Sequence, residues 1–260
     1  MKNNKILVVF VIVFFLTTLV SVSYICYDNF INDNKTANEV EKDTDTDIDT
    51  VNDTLEELDV NSRLVQTLYN KVVLSGDSYY KYFMYDNDNY VVSDASEESK
   101  LTLAYLNLAN KEFVDIGIDG LNNTVLIPGL SYNYTLNVVN NTVSFIPYNS
   151  LLVAYQDLFG NDVTIDKSVP VSIDNYGGIY YVYNESLDGY VPYMRISGET
   201  SASYYTGSVV KAEKSNKQIV IYEEVREIYY DGTEIDHATY LYTFNIDNDG
   251  LYSFVSRVKE

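Results

Sequence analysis

An apolar run without charge spans residues 6–25, preceded by Lys2 and Lys5 and followed by Asp28 and Asp33. About 20 residues at roughly 1.5 Å rise each match the hydrocarbon thickness of a bilayer. With the positive flank inside, this predicts a single-pass anchor over residues 6–27, residues 1–5 in the cytoplasm and everything from residue 28 onward outside. The rival expectation is a secretory signal cleaved near Ser23, because Ser21 and Ser23 put small side chains at cleavage-site positions. Apolar character continuing through Leu19, Val20, Val22, Tyr24 and Ile25 favours the uncleaved anchor. Both readings export the same domain.

The pattern then turns polar. Residues 28–53 are mostly Asp, Asn, Thr and Glu, including the run 43–49 in which carboxylates alternate with Thr and Ile48. Such a segment buries too little apolar surface to fold, and its like charges extend it, so it is expected to be a disordered linker.

Helical spacing begins next, in a domain expected over residues 54–260 with a subdomain boundary near 147. Thr54-Leu55-Glu56-Glu57 reads as a capping box that opens a helix, with Leu64, Val65, Leu68, Tyr69, Val72 and Val73 on its apolar face and Gly76 as its stop. Ser93 and Asp94 precede a second helix with Leu101, Ala104, Tyr105 and Leu108 on one side. A third is expected from about Asn149 through Leu151, Leu152, Tyr155 and Phe159 to Gly160.

Elsewhere the period is two. Residues 132–139 and 142–146 flank Asn140-Asn141 as a hairpin, and residues 179–183 and 190–196 flank a loop ending in Asp188-Gly189. Segments 204–214, 218–230, 238–246 and 251–258, separated by turn residues, read as a meander. In its third strand Tyr240, Tyr242, Phe244 and Ile246 share a face, as do Tyr252, Phe254 and Val258 in the fourth.

The expectation is therefore α+β: a transmembrane helix, an acidic disordered linker, then about three helices packed on a curved antiparallel sheet ending in a four-stranded meander. That order of helix and meander loosely resembles cystatin-like and nuclear-transport-factor-like folds, which host many functions.

Charge narrows the partners. A formal net charge of -21 and a sequence pI near 4.2 repel phosphate backbones and anionic lipid, so nucleic acid is excluded and the membrane is met only through residues 6–27. Cys26 is the single cysteine, which rules out an intrachain disulfide, and Ile25 before it does not match the small residue that a lipobox needs. Abundant Asn, Asp, Ile, Tyr and Lys resemble exported proteins of AT-rich bacteria.

Candidate chemistry is thin. His237 is the one histidine, so a multi-histidine zinc site is impossible, and beside a turn it is expected to be solvated. Counting from Asp43 or from Asp86, the acidic runs lack the Gly that a calcium loop needs at its sixth position, which is Ile48 or Val91; no metal or cofactor is expected. Ser78-Tyr79-Tyr80-Lys81, Ser131-Tyr132-Asn133 and Thr206-Gly207 follow the order of the Ser-x-x-Lys, Ser-x-Asn and Lys-Thr-Gly elements of penicillin-binding proteins and resemble them, except that Tyr205 stands where the third needs Lys. Carboxylate catalysis could draw on Glu223, Glu224, Glu227 or Asp157, with no pair marked.

The 27 tyrosines, with no tryptophan, cluster as Tyr79-Tyr80, Tyr180-Tyr181-Tyr183, Tyr204-Tyr205 and Tyr229-Tyr230, and alternation along a strand is expected to expose one of each adjacent pair. The functional expectation is a membrane-anchored extracytoplasmic binding module of the bacterial cell envelope, with an envelope protein or glycan as partner and catalytic residues unknown; the alternative is a carboxylate-dependent hydrolase of wall polymer.

Overall fold

The computed structural model describes residues 55–73, 84, 89–108, 112–173, 178–195 and 203–260. The anchor expected over 6–27, the linker over 28–53, Ser78 to Lys81 and Asp86 to Asp88 lie outside these residues. No helix among the described residues is long and apolar enough to cross a membrane.

The described residues are mostly sheet with three helices. The C-terminal period-two segments form long strands, β10 (Ser203–Lys214), β11 (Gln218–Tyr229), β12 (Glu234–Ile246) and β13 (Tyr252–Lys259), paired antiparallel in chain order. The meander thus forms as expected. Two short strands from earlier in the chain, β1 (Glu56–Glu57) and β2 (Asn89–Val91), close its edges in the order β1-β10-β11-β12-β13-β2.

Leu55, Glu56 and Glu57 of the expected capping box do not open a helix. Glu56 and Glu57 instead pair with Lys214 and Glu213, and the Leu58 N–H donates to the Ala212 carbonyl at 2.9 Å. Helix α1 (Arg63–Val72) starts later, where Ser62 Oγ accepts from the Val65 N–H. A strand partner and a competing cap outweigh the local motif. Its apolar face is as expected: Val65, Leu68, Tyr69 and Val72 are buried. Helix α2 (Glu97–Leu106) is capped by Ser96, and α3 (Tyr148–Phe159) ends at Gly160, whose φ of 105° suits glycine. The Tyr148 N–H at the start of α3 donates to the carbonyl of Asp188.

A second, seven-stranded sheet contains β3 (Val114–Gly117), β4 (Thr124–Leu126), β5 (Asn133–Leu136), β6 (Thr142–Pro147), β7 (Val171–Ile173), β8 (Ile179–Asn184) and β9 (Gly189–Met194). The β8–β9 hairpin turns at Asp188-Gly189 as expected. The hairpin at Asn140-Asn141 is different. Both Asn residues adopt positive φ, 51° and 63°, and Val139 bridges Thr142, but β5 and β6 then diverge and pair with opposite ends of β9. Turn chemistry set the reversal; a strand from much later in the chain supplied the partner.

One core cluster joins all three helices to the inner face of the six-stranded sheet and to Ile146, Val171, Tyr181 and Tyr190 of the second sheet. Helix α3 touches β13 of one sheet and β6 and β9 of the other. A smaller core with Tyr134, Phe145, Tyr180 and Tyr193 lies on the other face of β8 and β9. Tyr180 and Tyr181 are consequently both buried, contrary to the expected alternation of exposure, because β8 has a core on each side.

Bulges alter the faces of the meander. On β13, Phe254 opposes Phe244 and Ser256 opposes Thr243, leaving Val255 as an extra residue. Parity flips there. Arg257, fully buried, takes the inward position that the alternation assigned to Val258, and its guanidinium lies 4.4 Å from the centroid of the Tyr240 ring.

Candidate binding surface

Glu223 is the only fully buried carboxylate among the described residues. Alternation along β11 points it inward with Ile219, Ile221 and Val225, opposite Tyr240. Tyr69 of α1 donates a hydrogen bond to Oε1, and Tyr242 of β12 donates to Oε2 at 2.6 Å. The Tyr69 and Tyr242 rings meet edge to face at 5.9 Å. Burial, then the negative field of Glu223, holds the Tyr242 phenol well above its usual pKa. This constellation is a clamp between helix and sheet.

The other carboxylates are placed elsewhere. Glu224 points to the opposite, outer face, where its Oε2 lies 3.8 Å from His237 Nε2. Glu227 shares the parity of Glu223 but sits four residues on, about 13 Å along an extended strand, beyond the about 5–9.5 Å of paired glycosidase carboxyls. Its Oε1 accepts from Ser203 Oγ at 2.5 Å. Asp157, on α3, is paired with Lys71 of α1 at 2.7 Å. The fold brings no two of these four together.

His237 lies within β12 opposite Arg226, not in a turn, though it is exposed as expected. Ser131 and Asn133 belong to the second sheet and its approach, whereas Thr206 and Gly207 belong to β10 of the first. Of the acidic turn from Asp86, Asn89 opens β2, and Glu97 accepts from Tyr155 at 2.9 Å and pairs with Lys100 at 3.0 Å. Among the described residues no group of His, Cys, Asp and Glu could hold a metal ion.

What the fold does assemble is an exposed aromatic end of the meander. Beyond Val225, β11 has no buried residue, and residues 234–237 of β12 are all exposed. The connecting turn is tightly built: the Tyr229 N–H donates to the Thr233 carbonyl, the Gly232 N–H to that of Tyr229, and Asp231 Oδ1 accepts from the Thr233 N–H. The Thr233 N–H, then its side-chain hydroxyl, holds the Asp231 carboxyl below its usual pKa. Tyr229 and Tyr230 are 45% and 72% exposed, and the Tyr204 ring lies 6.0 Å from that of Tyr230. Ile235, a bulge residue of β12, is exposed beside them. Both tyrosines of the 229–230 pair face solvent, because the strand has run past the core that would cover one side.

Charged residues line the approach to this end. Arg226 faces Glu234 at 3.7 Å, and Lys259 binds Asp236 at 3.2 Å, holding that carboxyl below its usual pKa. No family model matches the chain, and neither a curated protein nor a solved structure matches it.

Proposed function

We propose that the chain is a membrane-anchored, extracytoplasmic binding module of the bacterial envelope, held by residues 6–27, spaced by residues 28–53 and recognising an envelope protein through the aromatic end of the meander. The observation that carries this reading is the Tyr229-Tyr230 turn, 45% and 72% exposed on a hydrogen-bonded loop with Tyr204 against it. Tyrosine offers a large, stiff contact area with a polar tip, the side-chain type enriched at protein-binding hot spots. With a net charge of -21, the complementary partner surface is neutral or basic. The hydrolase reading is weaker, since Glu223 is engaged by two tyrosines in the core and Glu224 lies on the other face.

The test uses the full chain in mild detergent, sedimented with isolated wall and, separately, cross-linked to solubilised envelope proteins. Saturable capture of one envelope protein, weakened at least tenfold by Tyr229→Ser with Tyr230→Ser, is the expected result. Binding to wall alone would replace the protein partner with a glycan. Capture unchanged by the double substitution would sink the assignment of the surface. Surface labelling of intact cells and the mass of the mature chain test the anchor.

A further inference from the structure

On the second sheet, well away from the meander turn in the chain, three elements build a cage of one ring face, a phenol oxygen and a carboxylate around an ammonium group. Tyr148 opens α3, Tyr183 lies on β8, and Asp188 sits in the β8–β9 turn; the two rings meet edge to face at 6.1 Å. Lys167, from the loop after α3, fills the cage. Its Nζ is 4.0 Å from the centroid of Tyr148 and 4.5 Å from that of Tyr183, and it donates to Tyr183 Oη at 2.7 Å and to Asp188 Oδ1 at 3.0 Å. The Tyr183 hydroxyl in turn donates to Asp188 Oδ1 at 2.5 Å. One electron-rich ring face, from Tyr148, with the Tyr183 phenol oxygen and a carboxylate around one point is chemistry that recognises an alkylammonium group.

The cage walls are set without the lysine. The Tyr148 N–H is bonded to the Asp188 carbonyl, Tyr183 is paired with Tyr190 across the hairpin, and Asp188 is held at a φ of 44°. Beneath Tyr183, with ring centroids 5.5 Å apart, lies fully buried Tyr190, whose hydroxyl has no hydrogen-bond partner among the described residues. Burial, then the neighbouring Tyr148 and Tyr183, holds that phenol above its usual pKa. Lys167, by contrast, stands on a loop. Asp166 Oδ1 accepts from the Ser168 N–H at 2.9 Å and orients the turn, while the Lys167 side chain is 42% exposed and Asp188 68%. Ion pairs this exposed are weak and screened by salt. The chain's own ammonium is therefore a displaceable occupant of a site built by other elements.

We propose that the Tyr148–Tyr183–Asp188 cage is a binding site for an external alkylammonium group, which Lys167 occupies until such a ligand displaces it. Two sources share that chemistry, a small quaternary amine and a lysine side chain of a partner, and they differ in one respect. A quaternary group uses only the Tyr148 face and the field of Asp188, whereas a primary ammonium also donates to Tyr183 Oη and Asp188.

The full chain in detergent is titrated calorimetrically with tetramethylammonium and with Nα-acetyl-lysine methylamide, as wild type and as Lys167→Ala. The expected result is binding of at least one probe at least tenfold tighter in Lys167→Ala than in wild type, lost again when Tyr148→Leu is added. Preference for the quaternary probe identifies a small amine, and preference for the lysine amide a partner's side chain. Lys167→Ser provides an independent opening of the cage, and native near-ultraviolet circular dichroism marks the variants that are folded. Binding no tighter in either folded variant than in wild type, or indifferent to Tyr148→Leu, overturns the proposal.

Discussion

The hydroxyl of Tyr69 on α1 donates a hydrogen bond to the buried carboxylate of Glu223 on β11, joining residues 154 positions apart. Tyr242 donates to the other carboxylate oxygen. A buried polar group whose partner is removed carries its full desolvation penalty, so the clamp specifies how α1 sits on the sheet.

Tyr69→Phe is expected to destabilise the fold by about 1–3 kcal/mol, and Tyr242→Phe by a similar amount. Because both hydroxyls serve one carboxylate, the double variant should depart from additivity by more than about 0.5 kcal/mol. Denaturant melts of the four proteins measure this. Additive losses would show that the two hydroxyls act independently.

Alkaline pH should unfold the protein through its tyrosines. Burial raises Tyr155, Tyr190, Tyr193 and Tyr242 above the ordinary value of 10.0 and pushes Tyr90 up to about 12. The folded state therefore holds these protons more tightly than the unfolded state. Their contribution to stability is fully present below about pH 10 and is lost as pH rises through the folded values. Tyrosinate absorbance followed beside circular dichroism should show a group of phenols ionising only as the fold is lost, with a shallower pH slope in Tyr242→Phe. Ionisation of every tyrosine near pH 10 with native dichroism retained would contradict the burial argument.

Gly189→Ala should separate two strands. A Cβ there would lie 2.5 Å from the Ile146 carbonyl oxygen and 2.7 Å from Phe145 ring carbons, where β9 pairs with β6. Overpacking against backbone has no rotamer escape, and a loss of about 1–3 kcal/mol is expected. Thermal melting checks it, and a loss below about 0.5 kcal/mol would mean that the strands can move apart at little cost.

Much of this architecture was legible along the chain. Alternating Tyr240, Tyr242 and Phe244 gave the inner face of β12, the apolar stripe from Val65 to Val72 gave the buried face of α1, and the Asp231-Gly232 turn marked the end of β11. These are local properties, since period, turn chemistry and capping act over a few residues. Alternation along the strand predicted that one of Tyr229 and Tyr230 is exposed, and in the structure both are.

Other features needed the tertiary structure. Whether Glu223 is a catalytic or a core residue depends on Tyr69, brought over it by a helix far away in sequence. Val255 carries no mark that distinguishes a bulge residue from a paired one, yet it turns Arg257 inward. Burial of both Tyr180 and Tyr181 depends on a second core behind β8, and the separation of β5 from β6 depends on β9 competing for their edges. Tyr148, Lys167, Tyr183 and Asp188 meet only because α3, its following loop and the β8–β9 hairpin converge. The sequence alone determined the strand and helix periods and the acidic character, because those are short-range or additive. Long-range pairing and the burial of charge were decided by the tertiary structure, because they depend on which distant surfaces compete for the same hydrogen bonds and the same core.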